Sequence, residues 1–269
     1  MIERDRRFDL RQVEAAQLTE AVGEAVREGA RRVLVAGGDG SIASAASAVA
    51  NTQVELAVVP AGTLNHFARD HEIPLEAPAA LALAAEGIAI PADACYVNDQ
   101  LFLNTSSVGA YVRFAKRRES LEERLGYRIA SVLASLQVFS ASRPFRLELD
   151  VHGHRRFYST TLAFIGAGER ELRIPVLGGR VKGGQRGLHV IVPRASSHGR
   201  LLIIAMRSAL RGVQAAVGAL ELDSFVVDHC RVDLRHAMDE IALDGEIMSL
   251  ATPLNYRVAR DALRVVMPA

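Results

Sequence analysis

The chain has 269 residues, of which 49% are hydrophobic and 23% charged, a balance that supports a buried core and excludes a disordered polymer. With 32 basic against 31 acidic residues the net charge is +1, so no whole-molecule field draws it to nucleic acid, and no nucleic-acid partner is expected. Cys95 and Cys230 lie far apart and outside any Cys-x-x-Cys pair. That spacing speaks against a zinc knuckle or a disulfide framework and fits a reduced, cytoplasmic setting.

The charged start, Met1-Ile2-Glu3-Arg4-Asp5-Arg6-Arg7, leads into no long apolar run and does not read as a secretory signal. Asp9 with Gln12 has the spacing of a capping box, and Leu18, Val22 and Val26 then recur at intervals of four before Gly29, which predicts an amphipathic helix. Val33-Leu34-Val35-Ala36 has the unbroken apolar pattern of a strand buried on both faces of a parallel sheet. It runs into Gly37-Gly38-Asp39-Gly40-Ser41 and a small-residue helix over 41–50. Leu56-Ala57-Val58-Val59 repeats the strand, and Pro60-Ala61-Gly62-Thr63-Leu64-Asn65 repeats the turn, opening a helix towards Asp70. A further helix is predicted over 77–86, and 88–92 closes this portion. Strand, turn and helix in repeated order predict a parallel βαβ sheet in a domain of residues 1–92.

From Asp93 the period changes. Residues 145–151 alternate apolar and polar as a half-exposed strand does, and a turn at His152-Gly153-His154 would pair them with 156–165. Further strands are predicted over 101–104, 187–192, 225–234 and 255–266, with helices near 119–139 and 199–219. Residues 93–269 thus read as an antiparallel, β-rich domain. The greasiest stretch, 201–206, ends at Arg207, far short of the roughly 20 residues that span a bilayer, so no transmembrane segment is expected.

A glycine run between a buried parallel strand and a helix start lets backbone N–H groups approach a phosphate, with the helix dipole adding favourable partial charge. One such turn could equally be a tight βα connection. Here two of them lie 22 residues apart, from Gly40 to Gly62, after consecutive strands, where ligands of open parallel sheets collect. Asp244-Gly245, between strand-like segments, taken alone reads as a hairpin turn.

Together, Gly37-Gly38-Asp39-Gly40-Ser41 and Pro60-Ala61-Gly62-Thr63-Leu64-Asn65-His66-Phe67-Ala68-Arg69 resemble the diacylglycerol and related lipid kinase family, whose members carry Gly-Gly-Asp-Gly-Thr and Pro-x-Gly-Thr-x-Asn-x-x-Ala-Arg. The resemblance continues through Phe102-Leu103-Asn104 with Gly109 and reaches Leu243-Asp244-Gly245-Glu246. It implies an open parallel α/β nucleotide domain followed by a β-sandwich domain, with a cleft between them. It also implies that ATP phosphates are held by Gly37, Gly38, Asp39, Gly40, Ser41, Gly62, Thr63 and Asn65, with Asp39 near the γ-phosphate and Mg²⁺. Asp244 and Glu246 would face them, one of these three acids being the base that receives the acceptor hydroxyl's proton. The partner implied is a lipid substrate at a membrane surface, and the setting cytoplasmic, peripheral on the inner membrane face.

Three departures accompany the match. Family members open with a strand carrying Asn-Pro-x-x-Gly, a helix and a second strand, whereas this chain starts just before the helix preceding Gly37; a shortened nucleotide domain follows, whose free sheet edge would be a place for homodimer formation. Where the family often has acidic residues before a Gly-x-Leu strand, this chain has Gln185-Arg186-Gly187-Leu188, so a regulatory metal site is not expected there. Ser41 replaces Thr and keeps the hydroxyl. His152 and His154 read as solvated turn residues, lacking a third ligand. Arg113, Lys116, Arg117, Arg118, Arg124 and Arg128, against Glu119, Glu122 and Glu123, read either as a solvated helix face or as a contact for anionic headgroups. The alternatives to a lipid kinase are a catalytically impaired lipid- or nucleotide-binding protein of the same fold and a kinase for a soluble substrate, as in the NAD kinases, which share Gly-Gly-Asp-Gly but not the Ala-Arg block.

Overall fold

The structure is a computed structural model that describes residues 9–151, 153–173, 176–193 and 222–268. The chain divides into two compact units, one of Met1–Ala92 with Ala262–Ala269 and one of Asp93–Asp261. The last eight residues therefore group with the first unit, whereas the sequence reading placed them in the second.

In the first unit α1 (Leu18–Arg27) precedes β1 (Arg32–Gly37), α2 (Asp39–Val49), β2 (Glu55–Pro60), α3 (His66–Asp70), α4 (Ala77–Glu86) and the start of β3 (Ile88–Val97). The expected capping box is not formed: α1 begins at Leu18 without a side-chain cap, and Asp9 accepts instead from Arg11 Nε at 2.7 Å. β1 and β2 pair in parallel, from Arg32 opposite Glu55 to Gly37 opposite Pro60. α2 buries Ile42, Ala45, Ala46 and Val49, a spacing that puts one small-residue stripe against the sheet. α4 does the same with Ala80 and Ala84, which pack with Ala57, Val59 and Val266. The Arg32 guanidinium joins α4 to the sheet. It donates to the carbonyls of Ala84, Ala85 and Gly87 at 2.6, 3.1 and 3.0 Å and pairs with Glu55, satisfying the orphan carbonyls of a helix end.

β2 is buried from Leu56 to Pro60, as its apolar run predicts, but β1 is not. It ends the strand order, and its Leu34 is 39% exposed beside an exposed Ala36 while Val35 is buried. An edge strand with one open face carries the same apolar letters as a central one.

In the second unit, β4 (Gln100–Phe102) forms a hairpin with β3, and β5 (Thr105–Gly109) leads into α5 (Ala110–Ala141). β6 (Phe145–Val151) and β7 (His154–Thr160) form the expected hairpin, but the chain then changes sheets at Thr161 and continues as β8 (Leu162–Ala167). β9 (Arg170–Arg173) and β10 (Val176–Arg180) make a small ribbon, followed by β11 (Leu188–Pro193), β12 (Leu222–Val227), β13 (His229–Asp233), β14 (Met238–Leu243), β15 (Glu246–Ala251) and β16 (Leu254–Met267). The helix expected near 199–219 and His152 lie outside the described residues.

One sheet of this unit runs β12-β11-β8-β5-β14-β15, antiparallel throughout. The other carries β13 between β6 and the first half of β16, also antiparallel. Inward residues of both, among them Leu147, Leu149, Val232 and Tyr256 from one and Ile165, Val190 and Ile241 from the other, share one core. This is a β-sandwich. The second half of β16 joins the first unit, pairing parallel to β2 through Arg264 and Val265. The expected strand over 255–266 is thus a single strand serving two sheet environments.

Candidate active site

The two glycine turns of the first unit pack against each other. Ala61 N–H donates to the Gly37 carbonyl at 2.9 Å, continuing the strand register into the turns. A Cβ placed on Gly62 would lie 2.6 Å from the Gly38 Cα, and one on Gly37 would lie 2.6 Å from the Ser41 Cβ. Glycine is thus required at 62 by proximity of backbone to backbone and at 37 by the Ser41 side chain. The first N–H groups of α2, those of Asp39, Gly40 and Ser41, precede the first intrahelical bond, which Ile42 N–H makes to Gly38 O at 3.0 Å. These donors, a half-buried Ser41 and an exposed Thr63 lie at the carboxyl ends of β1 and β2.

Two polar side chains of the motifs turn inward instead. Asn65, in the left-handed region at φ 51°, is buried and closes its own turn: Gly62 N–H donates to its Oδ1 at 2.9 Å, and its Nδ2 donates to Gly62 O at 2.8 Å. Gly62 N–H is thereby already used. Asp39 accepts from the backbone N–H groups of His66 and Phe67 at 3.1 and 3.0 Å, so the first residue of α2 caps the start of α3. The two turns are tied by this carboxylate as well as by glycine contact.

In the second unit Asp244 and Gly245, at φ 49° and 95°, form the two-residue turn between β14 and β15, with Leu243 paired to Glu246. Positive φ at both positions is the geometry of a type I′ hairpin. The turn reading and a further role coexist. Asp244 Oδ2 accepts from Leu103 N–H at 2.8 Å, and Oδ1 accepts from Asn104 and Thr105 N–H at 2.8 and 2.9 Å. Its own N–H donates to Thr105 O at 2.8 Å. Burial pushes the Asp244 carboxyl above its ordinary value, against the opposing pull of the three N–H donors. Glu246 differs: it is exposed, and its carboxylate makes no hydrogen bond or ion pair among the described residues.

The segment Gln185-Arg186-Gly187-Leu188 holds a cation of its own. Arg186 forks onto both oxygens of Asp93, with Nε to Oδ2 at 2.9 Å, and donates to Asp261 Oδ1 at 2.6 Å; Arg260 bridges Asp93 and Asp228. Burial raises the Asp93 carboxyl, but Arg186, the Asp261 N–H and Arg260 together hold it below its usual range. No cluster of three or more His, Cys, Asp or Glu suited to a metal ion occurs among the described residues. Of the sequence-derived candidates, the structure brings Gly37, Gly38, Asp39, Gly40, Ser41, Gly62, Thr63 and Asn65 together, and places Asp244 and Glu246 at one hairpin. The capping by Asp39 had no local sequence signal, because it joins the side chain to backbone that only the fold brings near, whereas the Asn65 lock lies within its own turn.

This combination of an α/β unit with paired glycine turns and a β-sandwich is the fold of a diacylglycerol kinase from Bacillus anthracis str. Sterne. Its crystal structure aligns with a TM-score of 0.63 over 96% of this chain and 84% of that one, at 19% identity. Residues 1–97 match the family described as Diacylglycerol kinase catalytic domain. The chain is 32% identical over 264 residues to a Pseudomonas putida protein named "Probable lipid kinase YegS-like", covering 95% of this chain and 83% of that protein. A Pseudomonas aeruginosa protein of the same name is 33% identical over 261 residues, covering 92% and 80%. The chain belongs to this YegS-like, diacylglycerol-kinase-type family of lipid kinases. No helix among the described residues is long and apolar enough to cross a membrane.

Proposed function

We propose that the protein transfers the γ-phosphoryl group of ATP to a lipid hydroxyl, that of a diacylglycerol, a phosphatidylglycerol or a sphingoid base, working from the cytoplasmic face of a membrane. The observation that carries this reading is the Gly38 to Gly62 contact, which leaves the N–H groups of Asp39, Gly40 and Ser41 open beside a surface without side-chain bulk. That is a fit for nucleotide phosphates. Mg²⁺ would be held chiefly by the nucleotide, with Asp39 as its candidate protein ligand, since each Asp39 oxygen accepts only one N–H; the ion supplies neutralisation of phosphate charge.

The role of general base falls best to Glu246. Both oxygens of Asp244 are engaged by backbone donors, so that side chain orients the 103–105 segment, while Glu246 has its carboxylate free among the described residues. In the transfer the acceptor O–H gives its proton to Glu246, its oxygen forms the new bond to the γ-phosphorus, and the bond from that phosphorus to the β-phosphate oxygen breaks to release ADP. The test is transfer of labelled γ-phosphate from Mg-ATP into a lipid panel in mixed micelles. Incorporation by the intact chain, lost in Asp39→Ala and Glu246→Gln, is the expected result. Lipid binding without transfer would favour the impaired binding protein, and transfer to soluble acceptors alone would favour a soluble-substrate kinase.

A further inference from the structure

α5 is two helical arms folded back on each other. Gly126, at φ 71° and ψ 160°, breaks the helix. Arg117 Nε then donates to Gln137 Oε1 at 2.6 Å, although residues 20 apart in a straight helix would be about 30 Å from each other. The two ends of this hairpin are anchored on the sandwich: Ala110, Phe114 and Val138 pack with Leu162 and Phe164, and Lys116 pairs with Glu240 at 2.6 Å. The Gly126 tip lies 12 residues beyond Phe114, roughly 18 Å along the arm.

At that tip three large apolar side chains face solvent within five residues: Leu125 is 39% exposed, Tyr127 52% and Ile129 56%. Such a cluster is costly in water and gains by burial. The charge of the hairpin says against what. Residues 110–141 carry six basic and three acidic side chains, a net +3 in a chain whose total is only +1, so the rest of the molecule is net negative. Arg118 is turned to Glu119, Glu122 and the Tyr127 ring, while Arg113 and Arg124 are exposed. We propose that the tip of the α5 hairpin inserts Leu125, Tyr127 and Ile129 into the interface of a bilayer bearing anionic headgroups, with the exposed Arg124 beside them on the phosphates. This deepens the lipid-kinase reading, because an insoluble acceptor has to be met at its own surface, and it rests on that reading only for its purpose.

The experiment is sedimentation of the intact chain with vesicles of phosphatidylcholine alone or with 30% phosphatidylglycerol, beside a Leu125→Ser, Tyr127→Ser, Ile129→Ser variant whose thermal unfolding is checked. A second variant, Arg124→Glu, tests the charge at the tip. The expected result is binding to the anionic vesicles, weakened roughly tenfold or more by the apolar variant and about tenfold or more by the charge variant. Equal binding to neutral and anionic vesicles, or binding unchanged in both variants, overturns the proposal. So does a dimer of the intact chain in size exclusion that the apolar variant converts to monomer. Failure of the kinase reading is seen separately, with a monomeric short-chain diacylglycerol as acceptor: the apolar variant retains that transfer if the proposal holds, and no variant shows it if the protein is not a lipid kinase.

Discussion

Gly62→Ala tests the paired-turn site most directly. The added methyl would sit 2.6 Å from the Gly38 Cα and 3.0 Å from Asn65 Oδ1. Carbon atoms in good contact stand about 3.5–4.0 Å apart, so the turns have to separate by roughly 1 Å. The obstacles are backbone and a buried Asn65 that already holds both polar groups of Gly62, and neither can swing aside. Overpacking of this kind costs about 1–3 kcal/mol, and losing one Asn65 hydrogen bond adds about 1 kcal/mol. A loss of about 2–4 kcal/mol corresponds to a melting temperature lower by roughly 5–15 °C. A shift of about 1 Å at the phosphate cradle would further lower the transfer rate on the order of 100-fold. Gly38→Ala is the internal control, since its Cβ would meet the Gly62 Cα at 3.4 Å and its φ of −84° suits any residue. It is expected to cost under about 1 kcal/mol. Thermal unfolding of both variants, with and without an ATP analogue, decides the matter. Equal losses, or a larger loss for Gly38→Ala, would refute the packing argument.

Glu246→Gln is expected to leave the melting temperature unchanged within about 2 °C and lower the transfer rate about 10²–10⁴-fold. Asp244→Asn should instead destabilise the fold by about 1–3 kcal/mol, because its amide cannot accept all three N–H bonds, which denaturant titration will measure. For Asp93 the sign follows from its lowered carboxyl: the stability it contributes is present above the ordinary value of 3.8 and is lost as pH falls through the lower folded-state value. Arg186→Gln should remove most of that acid-side loss, and parallel melts of the two proteins between pH 7 and pH 3 that shift alike would contradict it. Cys95 and Cys230 are buried in the sandwich core, where burial pushes the Cys95 thiol up to about 12 and raises Cys230 likewise, so neither should react with a thiol reagent at pH 8 until the chain is unfolded.

The repeated strand and glycine turn were legible because a parallel βα unit writes its pattern locally: a short apolar run, then residues that permit close backbone approach. The sandwich was legible in outline from the period-two alternation of 145–151. Elements whose limits depend on distant contacts were not. The helix expected near 119–139 extends to Ala110–Ala141 because Gly109, at φ 87° and with no room for a Cβ against Thr161 O, starts it on the sandwich. The strand expected over 225–234 is two, divided at Asp228. The exposure of Leu34 follows from the place of β1 in the strand order, which no local pattern encodes.

The motif residues themselves divide by physical task. Asn65 bonds to Gly62, Asp39 to the amides that begin α3, and Asp244 to those of 103–105, so three of the polar side chains picked out by sequence are occupied in fixing backbone. In the proposed reaction, direct phosphate contact falls to N–H groups that no side chain identity reveals, at positions where glycine keeps the approach open. A carboxylate that accepts two or three amides is held rigidly, and a group so held is well suited to placing its neighbours and poorly suited to taking a proton. On that reasoning Asp244 and Glu246, two residues apart in one hairpin, have different tasks: the first fixes the frame, and the second, whose carboxylate has no partner among the described residues, is the one proposed to take the proton.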